Sequence, residues 1–164
     1  MPVSYHCAAA TDVPPETLYR MLWLRLRVFV VEQRAAYPEL DGRDIEPGAE
    51  LMWASDGDEV LSTLRILVDP TEMRIGRVAT DAAARGRGIA AELMRRAVAR
   101  CEEREPGVPI VLDAQSQLAD WYARFGFEVS GPAFSEDDIP HVPMRRPAGG
   151  GWRPSNPRQQ ARSR

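Results

Sequence analysis

Lysine is absent from the 164-residue chain; all 21 basic side chains are arginine. That excludes a Schiff-base lysine, the lysine of a Walker-type phosphate loop and the lysine of a protein kinase. Cysteine is almost as scarce. Cys7 and Cys101 stand alone, with no C-x-x-C pair and no histidine at ligand spacing. Neither a disulfide scaffold nor a structural metal site is expected, and a reducing, cytoplasmic setting suits the chain. No apolar run reaches the ~18 residues of a membrane helix. Met1 to Thr11 lacks the charged start and apolar centre of a secretory signal. No membrane partner is expected.

What is present is globular composition: 44% hydrophobic and 27% charged residues, enough for one self-sufficient core. The net charge of −3 hides an asymmetry. From Arg145 onward there are six arginines and no acid, whereas the preceding 144 residues carry 15 arginines against 24 acids, a net −9. An acidic body argues against a dedicated nucleic-acid domain, which carries its basic face on the fold itself. The segment from Pro147 is rich in Gly, Pro, Ser, Gln and Arg, with Trp152 its one large apolar residue. Residues 1–146 are therefore expected to form the domain, and 147–164 a disordered basic tail.

Periodicity divides the body into short elements. Val3 to Ala8 reads as a strand. Asp12 is a candidate helix cap ahead of Pro14, Pro15 and Glu16. Leu18, Met21, Leu22, Arg25 and Phe29 recur at helical steps, so a helix is expected from Pro14 to about Val28. A polar connection from Arg34 to Gly48 follows, long enough to suggest function. Glu50 to Ala54 and Val60 to Val68 read as a hairpin around Asp56-Gly57-Asp58, and Met73 to Thr80 as a further strand. A helix spans Gly88 to about Arg104, with Ile89, Leu93, Met94, Ala97, Val98 and Cys101 on one face. Ile110 to Leu112 is a short buried strand, Leu118 to Phe125 a helix closed by Gly126, and Phe127 to Val129 and His141 to Met144 are strands. The order β-α-β-β-β-α-β-α-β-β specifies an α/β domain with a mixed sheet.

The chemically loaded segment is the strand-to-helix junction Arg85-Gly86-Arg87-Gly88-Ile89-Ala90. Glycines at a helix entry allow close backbone approach, the first turn offers unpaired N–H groups, and two guanidinium forks add positive charge. Together these make a diphosphate cradle. A dinucleotide loop is the rival, but G-x-G-x-x-G is incomplete here.

The junction resembles the Arg/Gln-x-x-Gly-x-Gly/Ala signature of the GNAT acyl-CoA N-acyltransferase superfamily, with Arg85, Gly88 and Ala90 in the defining places. Trp121-Tyr122-Ala123-Arg124-Phe125-Gly126-Phe127 resembles its Tyr-x-x-x-Gly-Phe helix end, and Gln115 stands where many members carry Asn. Four further stretches are similar to the ElaA-type branch: Arg27 to Gln33, Asp41 to Asp44, Ile75 to Val78 and Ile139 to His141.

The resemblance implies a GNAT fold, a mixed twisted sheet with a splayed central strand pair and helices on both faces. It also implies an acetyl-CoA-dependent N-acetyltransferase acting on a primary amine of a small molecule or peptide, with a homodimer left open. Arg85, Gly86, Arg87, Gly88, Ile89 and Ala90 would hold the diphosphate of coenzyme A. The backbone of Val78, Ala79 and Thr80 would hold the pantetheine arm, with Gln115 nearby. Tyr122 is the implied general acid. Glu32 and His141 are candidate bases, Glu32 either at the mouth of the acceptor cleft or tied to Arg27 or Arg65. Acids around the presumed cleft (Glu39, Asp41, Asp44, Glu136, Asp137 and Asp138) would favour a cationic acceptor. Two other readings are a non-catalytic CoA-binding module and an RNA-associated protein acting through the arginine tail.

Overall fold

The computed structural model describes residues 2–149, so the expected tail lies outside the described residues apart from 147–149. Eight strands form one sheet: β1 (Ser4–Ala8), β2 (Glu50–Asp56), β3 (Glu59–Val68), β4 (Met73–Thr80), β5 (Ile110–Gln115), β6 (Glu128–Val129), β7 (Phe134–Glu136) and β8 (Ile139–Arg146). Their order is β1-β2-β3-β4-β5-β8-β6, with β7 pairing a further stretch of β8. Three helices complete the fold: α1 (Pro15–Leu26), α2 (Ile89–Arg104) and α3 (Ala119–Ala123).

The helices cover the two faces of the sheet and divide the core. On α2, Leu93, Met94, Ala97 and Cys101 are fully buried against Leu64, Ile66, Met73, Ile75 and Leu112. Each such large side chain contributes about 1.5–3 kcal/mol of burial. On the other face Met21 and Leu24 of α1 pack against Leu51, Trp53 and Ala79. The period-2 alternation is lost on β3, where nearly every residue is buried, because helices cover both of its faces.

Three local expectations need correction. Asp12 does not cap α1; it sits in a separate turn, and Pro14 holds the cap position with Pro15 as the first helical residue. The helix does not stop at Val28 but widens into a π-helical segment, Arg27–Glu32, with Gln33 N–H donating to the Val28 carbonyl at 3.2 Å. The short strand β7 lies between Phe127–Val129 and His141–Met144, where the sequence pattern marks no element.

Two irregularities of β4 shape the centre of the sheet. Its parallel pairing with β5 is confined to Met73↔Ile110 and Arg74↔Val111, after which the strands part. Its pairing with β3 slips between Thr63↔Ala79 and Arg65↔Gly76, so Arg77 and Val78 together oppose Leu64. This is a β-bulge, and Arg77 adopts φ +53°, the left-handed region that side-chain-bearing residues seldom occupy. Past Arg74, the β4 edge that faced β5 has no strand partner among the described residues, which opens its backbone to a ligand or water.

Candidate active site

Two cavities open where β4 and β5 part. The first, about 710 Å³, is lined by Val78, Ala79 and Thr80 on β4, by Arg85, Gly86, Gly88, Ile89 and Ala90 at the start of α2, and by Trp121 on α3. The second, about 390 Å³, lies among Tyr37, Arg65, Arg77, Leu112, Glu136 and His141. Phe29, Gln33, Val78, Gln115, Leu118 and Tyr122 line both, and so form a neck between them. The π-helical segment leads into this neck. Its wide turn carries Phe29 and presents Gln33, whose Oε1 accepts from Gln115 Nε2 at 3.1 Å.

At the mouth of the first cavity, Gly86 and Gly88 adopt φ +77° and +76°, and the space beyond each Cα is open. A side chain there would be strained and would fill the approach to the backbone. Gly88 caps α2 without a side-chain hydrogen bond, so the amides of the first turn face outward on a 16-residue helix. Residues 85–88 are exposed. Outward N–H groups, the helix dipole and Arg85 suit a diphosphate. Arg87 lies on the same turn but does not line the cavity.

Arg85 already holds an anion. Its Nη1 and Nη2 donate to the two carboxylate oxygens of Glu32 at 2.6 and 2.7 Å, and its Nε donates to the Thr80 carbonyl. The fork holds the Glu32 carboxyl below its usual range, chiefly through these hydrogen bonds. Glu32 is thus paired with neither Arg27, which binds Asp81, nor Arg65, which binds Asp41.

Tyr122 is only 7% exposed and lines the neck. Burial of the ring pushes its phenol up to about 12, and the hydroxyl, with no hydrogen-bond partner among the described residues, opens onto the cavity at the neck. The nearby rings of Trp121 and Phe125 meet edge to face, and Trp121 also meets the Tyr122 ring. His141, on β8, places Nδ1 2.8 Å from the Ile139 carbonyl and stacks on Phe134. A carbonyl oxygen only accepts, so Nδ1 carries a proton and Nε2 of the neutral ring keeps its lone pair.

The acids expected to charge the cleft divide into two groups. Glu39, Asp41 and Asp44 are neutralised by Arg25, Arg65 and Arg77. Glu39 is 2% exposed, and the Arg65 fork holds the Asp41 carboxyl far below the carboxylate range. They brace the segment between the π-helical turn and β2 and leave no free charge for a ligand. Glu136, Asp137 and Asp138 are exposed, and the first two line the second cavity. Sequence reasoning missed Phe29, Gln33 and Leu118 of the neck, the buried Arg25 and the half-buried Arg77, and it read Glu39 as a cleft charge rather than a buried ion-pair partner. Among the described residues no group of three or more His, Cys, Asp or Glu is placed to hold a metal ion, and no helix is long and apolar enough to cross a membrane.

Comparison with known proteins agrees with this geometry. A family model described as acetyltransferase (GNAT) domain matches residues 14–147. A UPF0039 protein of Mycobacterium tuberculosis is 42% identical over 146 residues, 86% of this chain and 91% of that protein. Protein ElaA of Escherichia coli is 36% identical over 139 residues, covering 83% and 91%. The crystal structure of E. coli ElaA superposes with a TM-score of 0.84, covering 88% of this chain and 99% of that one. An acyl-CoA N-acyltransferase from Pseudomonas aeruginosa superposes at 0.83 with 38% identity and the same coverage. A splayed β4–β5 pair, a glycine-rich turn into α2 and relatives of this kind lead to one conclusion: the chain belongs to the GNAT family of acyl-CoA-dependent acyltransferases.

Proposed function

We propose that the chain is an N-acetyltransferase that moves an acetyl group from acetyl-CoA to a primary amine of a small molecule or peptide. The observation that carries this reading is the neck: two separate cavities meet at the β4 bulge, which gives donor and acceptor opposite approaches to one point.

The donor suits the first cavity. Its diphosphate lies on the amides of Gly86, Gly88, Ile89 and Ala90, with Arg85 and Arg87 supplying charge. The pantetheine arm follows the unpaired edge of Val78, Ala79 and Thr80, and Gln115 offers an amide beside it. Backbone N–H groups at the bulge polarise the thioester carbonyl. An acetyl group fits better than a long acyl chain. A longer chain would meet the Gln33–Gln115 bridge in the neck and, beyond it, the Arg65 and Arg77 ion pairs.

The amine enters through the second cavity, where Glu136 and Asp137 attract a cation. The ammonium first gives up one proton to water, the neutral nitrogen attacks the carbonyl carbon, the C–S bond breaks, and the nitrogen gives up a second proton. His141, with Nε2 free, takes that proton directly or through water, and Tyr122 donates its phenolic proton to the departing thiolate. Glu32 suits the base role less, because its carboxylate is tied to Arg85 and held ionised.

Calorimetry with acetyl-CoA and thiol release across an amine panel test the reading. Saturable binding and amine-dependent release support it. No heat at millimolar acetyl-CoA, or release indifferent to every amine, overturns it.

A further inference from the structure

A side chain seldom sits at φ +53° in a strand, yet β4 places an arginine there, next to the one β4 residue that lines both cavities. The reason lies in what the guanidinium reaches. Nε of Arg77 stands 2.8 Å from Glu39 Oε2, Nη2 donates to the Glu39 carbonyl at 3.3 Å and to Asp41 Oδ2 at 3.2 Å, and the group lies over the Tyr37 ring at 4.9 Å. Glu39 has a 1% exposed side chain, and its other oxygen accepts from Arg25 Nε at 2.5 Å. Tyr37 O–H donates to Oε2 as well, at 2.6 Å. One buried carboxylate therefore joins three elements: the end of α1, the loop at residues 33–48 and the bulge.

We infer that Arg77 is a positioning residue for acyl transfer. Its guanidinium bolts the β4 bulge to the buried Glu39 carboxylate, and so fixes the backbone amides that face the thioester. This rests on the N-acetyltransferase reading above. Donors that polarise a carbonyl must be aimed before the reaction begins. A bulge has fewer ladder hydrogen bonds to aim it than a regular strand, and here the aim comes from a charged clamp instead. The same clamp holds the loop that carries Tyr37 and Ala35 into the acceptor cavity, so both substrates are referenced to one anchor.

Arg77→Gly separates the clamp from the backbone conformation. Glycine tolerates the positive φ, and Glu39 retains Arg25 and Tyr37 as partners, so the variant is expected to fold. A misplacement of about 1 Å at a reacting centre costs roughly 100-fold, so kcat should fall by roughly 10- to 100-fold, while Kd for free CoA stays within about twofold. Arg77→Lys keeps a cation without the fork and should recover part of the lost kcat, again without moving CoA affinity. The inference is overturned if Arg77→Gly keeps kcat within twofold of wild type. It is also overturned if CoA affinity and kcat fall in parallel in both variants. Should Arg77→Gly not fold, Arg77→Lys must show the same split between kcat and Kd, and its absence is equally fatal. Wild-type protein that binds no acetyl-CoA refutes the functional reading itself, a result distinct from either outcome.

Discussion

Replacing Tyr122 by phenylalanine should separate activity from stability. The ring is buried, but the hydroxyl opens onto the neck cavity, where water can satisfy it. Removal of the hydroxyl leaves the ring contacts with Trp121 intact and opens no cavity worth a methyl group. Tyr122→Phe should therefore hold Tm to within about 2–4 °C, the equivalent of 1 kcal/mol for a domain of this size. Loss of a general acid costs about 10²–10⁴-fold, so kcat for thiol release should fall within that range while Kd for CoA is kept. Thermal unfolding and a thiol-release assay on the same preparation give both numbers. A fall in Tm of several degrees would mean that the hydroxyl has a structural partner. A kcat within twofold of wild type would reduce Tyr122 to a packing residue.

Glu32→Gln should tighten CoA binding by roughly two- to fivefold, the worth of releasing Arg85 from an exposed ion pair of ~0.5–1 kcal/mol; calorimetry reads this, and weaker binding would assign Glu32 to the substrate side. Gln33→Ala removes the bridge across the neck and should raise kcat/KM for butyryl-CoA relative to acetyl-CoA; an unchanged ratio would show that the bridge does not limit the acyl group. Alkaline stability carries its own sign. The Tyr122 phenol is raised to about 12 in the fold from about 10 in the unfolded chain, so its contribution is complete below pH 10 and is lost as pH climbs toward 12. The Tm of Tyr122→Phe relative to wild type should therefore rise between pH 9 and 11, and a constant difference would contradict the burial.

Features governed by local chemistry were legible from the chain. The glycines and apolar period around Arg85 to Arg104 announce α2 and its entry, and β4 appears with the bounds read from Met73 to Thr80. The π-helical turn was not legible, because Phe29 continues the helical spacing that precedes it and one extra residue leaves the apolar pattern intact. Glu39, Asp41 and Asp44 read as free surface charge, since their arginine partners lie up to 38 residues away and only the folded chain brings them together. β7 is a three-residue exposed edge, too short for alternation to mark. Gln33 has no sequence signal of its own; its role arises from Gln115, 82 positions further on.

The widened turn at Arg27–Glu32 amounts to a single inserted residue absorbed without breaking the helix. Forcing ordinary winding on the same number of residues would swing everything downstream by about 100° around the axis. Gln33 would leave its partner, and the chain entering the Glu39 anchor would start from the wrong side. The wide winding of this short stretch is therefore a tighter constraint on the catalytic geometry than the identity of most residues within it.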